Sequence, residues 1–197
     1  SSWHLIGAFY PSIAFWSQGM LTAVEPWSGS YHVNPQVWTT AHMTQFTTLG
    51  DRYLPHGAGS GKLVAGGSFV SLVDGNGGLT ILIQKASHEN SRCIRPALEP
   101  YTTAEEQVVL RLRGNLAHIK SLSLWMSHFP LNGTRPQIFQ KMPDIQVVDR
   151  QITLTILKDA IYTLSNKGTA AQKGAHPPSP PSSIFPLPYK DDFTNCE

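Results

Sequence analysis

The sequence is poor in charge and in long apolar runs, and each shortage excludes a class of protein. Only 14% of its 197 residues are Asp, Glu, Lys or Arg, whereas a typical soluble domain carries about 25%. The 15 basic and 13 acidic residues are scattered, so the chain lacks the basic stripe of a nucleic-acid-binding protein. No apolar run approaches the ~18 residues that cross a bilayer as a helix, and we predict no transmembrane segment.

Cysteine is also scarce. Cys93 and Cys196 are too few for a disulfide-stapled scaffold and have no metal-ligand spacing. Because dinucleotide-binding and phosphate-binding glycine motifs are absent as well, we predict neither a metal site nor a cofactor. Residues 57–62 superficially suggest a phosphate loop, but the spacing is wrong and no strand leads into them. We predict a flexible loop there.

The first fifty residues have an α/β pattern. A short apolar run that ends at Glu25, Pro26 and Trp27 predicts a buried strand followed by a loop, and the apolar spacing over residues 37–46 predicts a short helix. A helix, a strand and a second helix are typical of parallel barrels. A complete barrel takes roughly 250 residues, so residues 1–50 could form only part of one.

From residue 51 the pattern becomes that of an antiparallel β-protein. Two β-type runs flank Asp74-Gly75-Asn76-Gly77, which is a strong hairpin signal because such a turn needs positive φ. Later runs alternate with period two, and the run 109–113 places its arginines on one face. Six or more short strands with turns between them predict an antiparallel β-sandwich over residues 51–165.

The composition changes again after residue 165. Residues 166–174 are small and polar, and six of the 15 prolines fall within residues 177–188. We predict a Pro-rich linker over 166–188, extended or laid as a strap across a surface. Residues 189–197 begin another segment, and both ends of the sequence suggest a piece of a larger protein.

Few side chains suggest chemistry on their own. Glu25, beside Trp27 at a strand end, could serve a sugar-cleaving enzyme, but that chemistry needs two carboxylates, so a local pairing or capping role is at least as plausible. Arg95 could grip hydroxyls or a carboxylate, although a structural salt bridge is favoured. None of the eight histidines is predicted to be a base. Asn132 begins a glycosylation sequon in an expected turn, and its use would imply a secretory or lysosomal protein.

Several segments together resemble glycoside hydrolase family 59. The resemblance runs in order through essentially the whole chain and is weaker at residues 130–150 and in the linker. The matching segments are Trp3, 21–31, 41–46, 66–75, 79–83, 87–88, 93–96 and 189–193. It implies a mainly β chain: the C-terminal part of a (β/α)₈ TIM barrel over 1–50, the β-sandwich over 51–165, the linker over 166–188, and the start of a lectin domain over 189–197.

The resemblance also implies an activity. Family members hydrolyse the β-galactosyl bond of galactosylceramide and psychosine in the lysosome with retention of configuration, and saposin presents the lipid. On this basis Trp3 packs against galactose and Arg95 hydrogen-bonds it. Cys93 corresponds to a cysteine whose disulfide partner lies upstream of Ser1, so here it would be a free thiol or mispaired, for example with Cys196.

The same resemblance places both catalytic glutamates upstream of Trp3, so Glu25 is neither of them and the isolated chain is expected to be inactive. The alternative is a non-catalytic carbohydrate-binding or scaffold β-sandwich. A barrel remnant without its neighbours would expose Trp16, Trp27 and Trp38 as an apolar patch.

Overall fold

The computed structural model describes residues 5–8, 19–88, 101–130, 132–167, 177–192 and 194. These residues divide into two compact units. One is drawn from residues 1–37 and 175–197, and the other from residues 38–174.

The first unit contains a three-stranded sheet in the order β1-β2-β3, formed by β1 (Ile6–Ala8), β2 (Leu21–Ala23) and β3 (His32–Val33). Strands β1 and β2 are parallel, and β2 and β3 are antiparallel. A 3₁₀ turn over Pro26–Ser28 follows β2 and ends at Gly29 with φ 72°. The predicted buried strand and its following loop are therefore confirmed.

The proline-rich residues 177–192 have no regular secondary structure and lie along the turn after β2. The Trp27 indole N–H donates to the Ser183 carbonyl over 2.7 Å. The Tyr31 amide donates to the Ser179 hydroxyl over 2.8 Å. Phe185 meets the Trp27 ring edge-on, with centroids 5.5 Å apart. This stretch is a strap held by directional contacts.

The second unit is an antiparallel β-sandwich with one helix, as the alternating pattern predicts. Its larger sheet has the order β10-β9-β12-β7-β6-β4, with β5 also paired to β6, and its smaller sheet pairs β11 with β8. Every strand pair in this unit is antiparallel. The elements are α1 (Pro35–Thr44), β4 (Arg52–Tyr53), β5 (Ser60–Lys62), β6 (Ser68–Val73), β7 (Leu79–Lys85), β8 (Glu106–Arg111), a 3₁₀ turn (Gly114–Leu116), β9 (Ser121–His128), β10 (Gln137–Gln146), β11 (Gln151–Ile156) and β12 (Ala160–Ser165). The first residues of α1 belong to the other unit.

The predicted hairpin is β6–β7, with Val73 opposite Leu79. Its turn holds Gly77 at φ 88°, and the Asp74 carboxylate accepts the Asn76 and Gly78 amides at 2.8 and 2.7 Å. The prediction of a flexible loop over residues 57–62 is wrong for the second half of that range, because Ser60–Lys62 forms β5 against β6. An edge strand gains ladder hydrogen bonds without needing an apolar alternation of its own.

Alternation along the central strands separates two faces of the larger sheet. Inward side chains of β7 and β12, such as Ile83 and Leu164, are fully buried between the sheets, as is Ile156 from β11 of the smaller sheet. The outward side chains of the same region include the buried hydroxyls of Thr80, Thr163, Ser127 and Ser165. The main apolar core therefore lies between the two sheets, and the other face carries these buried hydroxyls together with the apolar side chain of Trp125.

Helix α1 and the residues after it pack on that outer face. Phe46 and Ala41 are buried against Trp125 and Phe139. Trp38 is half-buried and stacks on Phe139 with ring centroids 5.8 Å apart, so the expectation that Trp38 is exposed is wrong: the sandwich covers part of it. Trp27 is 49% exposed, and Trp16 lies outside the described residues.

Candidate functional site

The sequence-predicted site residues Trp3, Cys93 and Arg95 lie outside the described residues, as does Cys196. Their roles therefore stay predictions. The structure does describe the residues on both sides of segment 89–100, which carries Cys93 and Arg95, and we call these flanking residues the stem.

The two sides of the stem meet beyond the C-terminal end of β7, at one end of the sandwich. The rings of His88 and Tyr101 are stacked with centroids 5.8 Å apart. The Tyr101 hydroxyl accepts the Gly67 amide over 2.5 Å, and the Ser87 amide donates to the Asp159 carboxylate over 2.7 Å. His88 and Tyr101, the described residues on either side of segment 89–100, are thus neighbours in the folded sandwich.

A buried ion pair supports the stem. Lys85, the last residue of β7, has a side chain with no exposed surface, and its Nζ lies 2.5 Å from Glu106 Oε1. The same ammonium donates to the carbonyls of Ala65 and Gly66 at 2.9 and 2.7 Å. All three ammonium protons have an acceptor, which is what makes a buried lysine charge tolerable. The pair joins the two sheets at this end of the core.

Two glycines let the chain approach the stem closely. Gly66 and Gly67 have φ of 77° and 95°. A Cβ on Gly66 would lie 2.3 Å from the Thr102 carbonyl oxygen, and one on Gly67 would lie 2.5 Å from the Gln84 carbonyl oxygen. Only glycine fits both the left-handed backbone and this spacing.

Glu25 is engaged locally. Its carboxylate accepts a hydrogen bond from the Ser182 hydroxyl of the strap, and its carbonyl accepts the Ser28 amide and hydroxyl at 3.0 and 2.6 Å. The local-pairing interpretation accounts for these contacts.

One histidine, His42, is buried and hydrogen-bonded in a way that the sequence did not predict. His42 on α1 has no exposed surface, and burial lowers its pKa from 6.5 to about 4. Among the described residues, its ring nitrogens contact the hydroxyls of Thr163 and Ser127, at 2.9 and 2.8 Å. Its position between Ala41 and Met43, on an apolar stretch, was the sequence signal that could have predicted its burial. It stabilises the packing of α1.

Asn132 is exposed in the turn between β9 and β10, where its side-chain oxygen accepts the Thr134 amide over 3.1 Å. Over the described ranges, no group of three His, Cys, Asp or Glu side chains is placed to hold a metal ion. In the same part of the chain, no helix is long and apolar enough to cross a membrane.

The comparison with protein families covers most of the chain. Residues 1–45 match the family model described as "Glycosyl hydrolase family 59", and residues 53–171 match "Glycosyl hydrolase family 59 central domain". The sandwich is thus the central domain of a glycoside hydrolase. The chain belongs to glycosyl hydrolase family 59.

The relatives are named galactocerebrosidases. The protein of Salmo salar is 41% identical over 192 residues, covering 98% of this chain and 28% of the relative. The human protein is 37% identical over 194 residues with the same coverage. A putative galactocerebrosidase of Caenorhabditis elegans is 23% identical over 196 residues, covering 27% of its length. The chain therefore spans less than a third of each of these relatives.

Proposed function

We propose that this chain is the central part of a lysosomal galactosylceramidase, which hydrolyses the β-galactosyl bond of galactosylceramide and psychosine. The similarity to galactocerebrosidases over 98% of the chain supports this most directly. In this proposal saposin presents the lipid, and the galactose group is what the site recognises.

The reaction would follow the retaining mechanism. One carboxylate attacks the anomeric carbon while a second protonates the departing ceramide oxygen and then activates water. Both glutamates would come from outside the 197 residues, so Glu25, whose carboxylate accepts a hydrogen bond from Ser182, would be neither of them.

Arg95 and Trp3 would complete the sugar pocket, Trp3 by packing on galactose and Arg95 by donating to its hydroxyls. The stem supports the role of Arg95. Lys85, Glu106 and Tyr101 fix both sides of segment 89–100, and a hydrogen-bonding arginine needs a restrained backbone to hold its geometry.

The domain assignment is part of the same proposal. Residues 1–50 would complete a TIM barrel, 51–165 form the sandwich, 166–188 link it onward, and 189–197 begin a lectin domain. Cys93 would form a disulfide with a barrel cysteine outside this sequence.

The test compares the 197-residue chain with the full product of its transcript. The full product should release galactose from galactosylceramide with the β configuration retained, as followed by NMR, whereas the 197-residue chain should release none. Arg95→Ala in the full product should lower kcat/KM by roughly tenfold or more. The matched control Arg135→Ala removes an exposed arginine from the β9–β10 turn and should not change it.

Two outcomes would overturn the proposal. Turnover by the 197-residue chain alone would show that the carboxylates lie within it. A full product that binds galactose without cleaving galactolipid would favour the carbohydrate-binding or scaffold module instead.

A further inference from the structure

A groove of about 460 Å³ lies beside helix α1 on the outer face of the larger sheet. The strand register defines its floor. Ser68, Gln84 and Ile161 are aligned across β6, β7 and β12, and on the same face Val70 lies opposite Leu82. These positions alternate with the core-facing residues of the same strands, so their side chains point away from the core.

One side of α1 forms the wall of this groove. The residues that line it are spaced three and four apart, which places them on one side of a helix: Thr39, Thr40, Met43 and Thr44. The side of α1 that carries Ala41 and His42 is already buried against β9, β10 and β12. The helix thus covers one half of the outer face and leaves the half over β6 and β7 beside it.

The lining of the groove is neutral. Val70, Leu82 and Ile161 on the floor are half-buried, so α1 covers them only in part. Hydroxyl and amide side chains surround them, and of the described residues that line the groove none is charged. A charged partner would gain no ion pair here, whereas an aliphatic partner surface would bury the floor.

Helix α1 belongs to one domain by sequence and packs on another. The family model that matches residues 1–45 ends just after α1, and the model of the central domain begins at residue 53. Yet Ala41 and Phe46 pack on Trp125 and Phe139 of the sandwich. The match to the Salmo salar relative covers 28% of that protein, so more than two thirds of the relative lies outside it.

We propose that a second helix of the domain to which residues 1–45 belong, supplied by chain outside these 197 residues, lies beside α1 in this groove. This inference rests on the proposed assignment of residues 1–50 to a TIM barrel. In such a barrel the helices form an outer ring, so each helix has helical neighbours, and the axes of two packed helices lie about 8–10 Å apart. The second helix presents aliphatic side chains to Val70, Leu82 and Ile161. The groove is then an interface between the barrel and the sandwich.

Cysteine labelling tests the inference without any substrate. Thr40→Cys and Ser68→Cys place a thiol on the two rims of the groove, at exposed positions. Both thiols should react with a maleimide as exposed cysteines do in the 197-residue chain, and at least about tenfold more slowly in the full product of the transcript. Asn115→Cys, in an exposed 3₁₀ turn, is the matched control and should react equally in both. Mass spectrometry of the labelled peptides separates these thiols from Cys93 and Cys196.

A charge on the floor distinguishes docking in the groove from shielding of its rim alone. Gln84→Arg adds a charge at an exposed position, so the Tm of the 197-residue chain should change little. In the full product the same arginine lies under the docked helix, where an unpaired charge is costly, and labelling of Thr40→Cys should become several-fold faster. Gln107→Arg adds the same charge at an exposed position of β8 and should leave Thr40→Cys protected. Protection that Gln84→Arg does not change would mean that nothing lies on the floor, and it would overturn the proposal.

Two further outcomes would overturn the proposal. Equal labelling of the rim thiols in the two proteins would show that the groove stays open. Protection in the 197-residue chain that disappears on dilution would place a second copy of this chain there instead. A full product with protected rims that hydrolyses no galactolipid would contradict the proposed function alone, whereas an active full product with unprotected rims would contradict this inference alone.

Discussion

His42 and Thr163 form a reciprocal pair between helix α1 and strand β12. The Thr163 hydroxyl donates to the His42 carbonyl over 2.8 Å, so the same oxygen must accept from His42 Nδ1, 2.9 Å away. Burial lowers the His42 pKa and keeps the ring neutral, so Nε2 carries no proton and accepts a hydrogen bond from the Ser127 hydroxyl, which itself accepts the Phe139 amide over 2.8 Å. These partners assign the neutral imidazole with its proton on Nδ1.

This pair predicts an acid-sensitive fold. Burial lowers the His42 pKa from 6.5 to about 4, so between these pH values the unfolded chain binds a proton at His42 that the folded chain does not bind. Stability is therefore full above pH 6.5 and falls as the pH drops toward 4, by about 3 kcal/mol in total. Urea unfolding of the 197-residue chain at pH 7 and pH 4.5 measures it.

His42→Gln should remove most of this pH dependence while lowering the free energy of unfolding at pH 7. The matched control His118→Gln changes an exposed histidine and should leave the pH dependence unchanged. A wild-type chain equally stable at both pH values would contradict the assignment of a neutral buried imidazole.

The same helix shows where sequence patterns stop being informative. Period-two alternation predicted the strands around Ile81, Leu154 and Leu164, because each buries one face. The apolar spacing also predicted α1, but not what it packs against, since an apolar helix face is equally compatible with a barrel and with a sheet. Contacts such as Trp38 on Phe139 join residues far apart in sequence, and spacing alone does not encode them.

The candidate site, too, was predictable from the sequence only in part. The turn that exposes Asn132 follows from its place between two strands. The burial of Lys85 does not, because a lysine at a strand end ordinarily reaches solvent. Its burial depends on Glu106 and on the carbonyls of Ala65 and Gly66, which only the folded sandwich brings together.

Breaking the Lys85–Glu106 pair should strongly destabilise the sandwich. Glu106→Gln leaves the Lys85 ammonium buried without its counter-charge, which costs about 3–5 kcal/mol. Thermal or urea unfolding measures the loss, and hydrogen exchange at the Gly67 amide should accelerate because the stem loosens. Asp144→Asn, which breaks the exposed Lys141–Asp144 pair, should cost at most about 1 kcal/mol. Equal effects of the two changes would contradict a buried, paired Lys85.

Asn132 should carry an N-linked glycan when the protein passes through the secretory pathway. The side chain is exposed in a turn, which is where the transferase can reach a sequon. Removal of N-glycans by an endoglycosidase should lower the mass of the wild-type chain by one glycan. Thr134→Val should abolish the shift, whereas Thr134→Ser keeps the sequon and should preserve it. An unshifted wild-type chain would show that the site is not used.

The strap should protect the backbone beside Trp27. Ser179→Ala removes the hydroxyl that accepts the Tyr31 amide, so that amide should exchange with deuterium several-fold faster. Ser183→Ala is the matched control, because Trp27 donates to the Ser183 backbone carbonyl and the substitution leaves that oxygen in place. The two variants lose the same side-chain atom from the same stretch, and Ser179→Ala loses in addition the bond from the Tyr31 amide and a long 3.4 Å bond to the neighbouring Pro180 carbonyl. Equal exchange rates at Tyr31 in both would mean that the strap contact does not persist in solution, whereas a difference confined to Ser179→Ala would show that it is a lasting part of the fold.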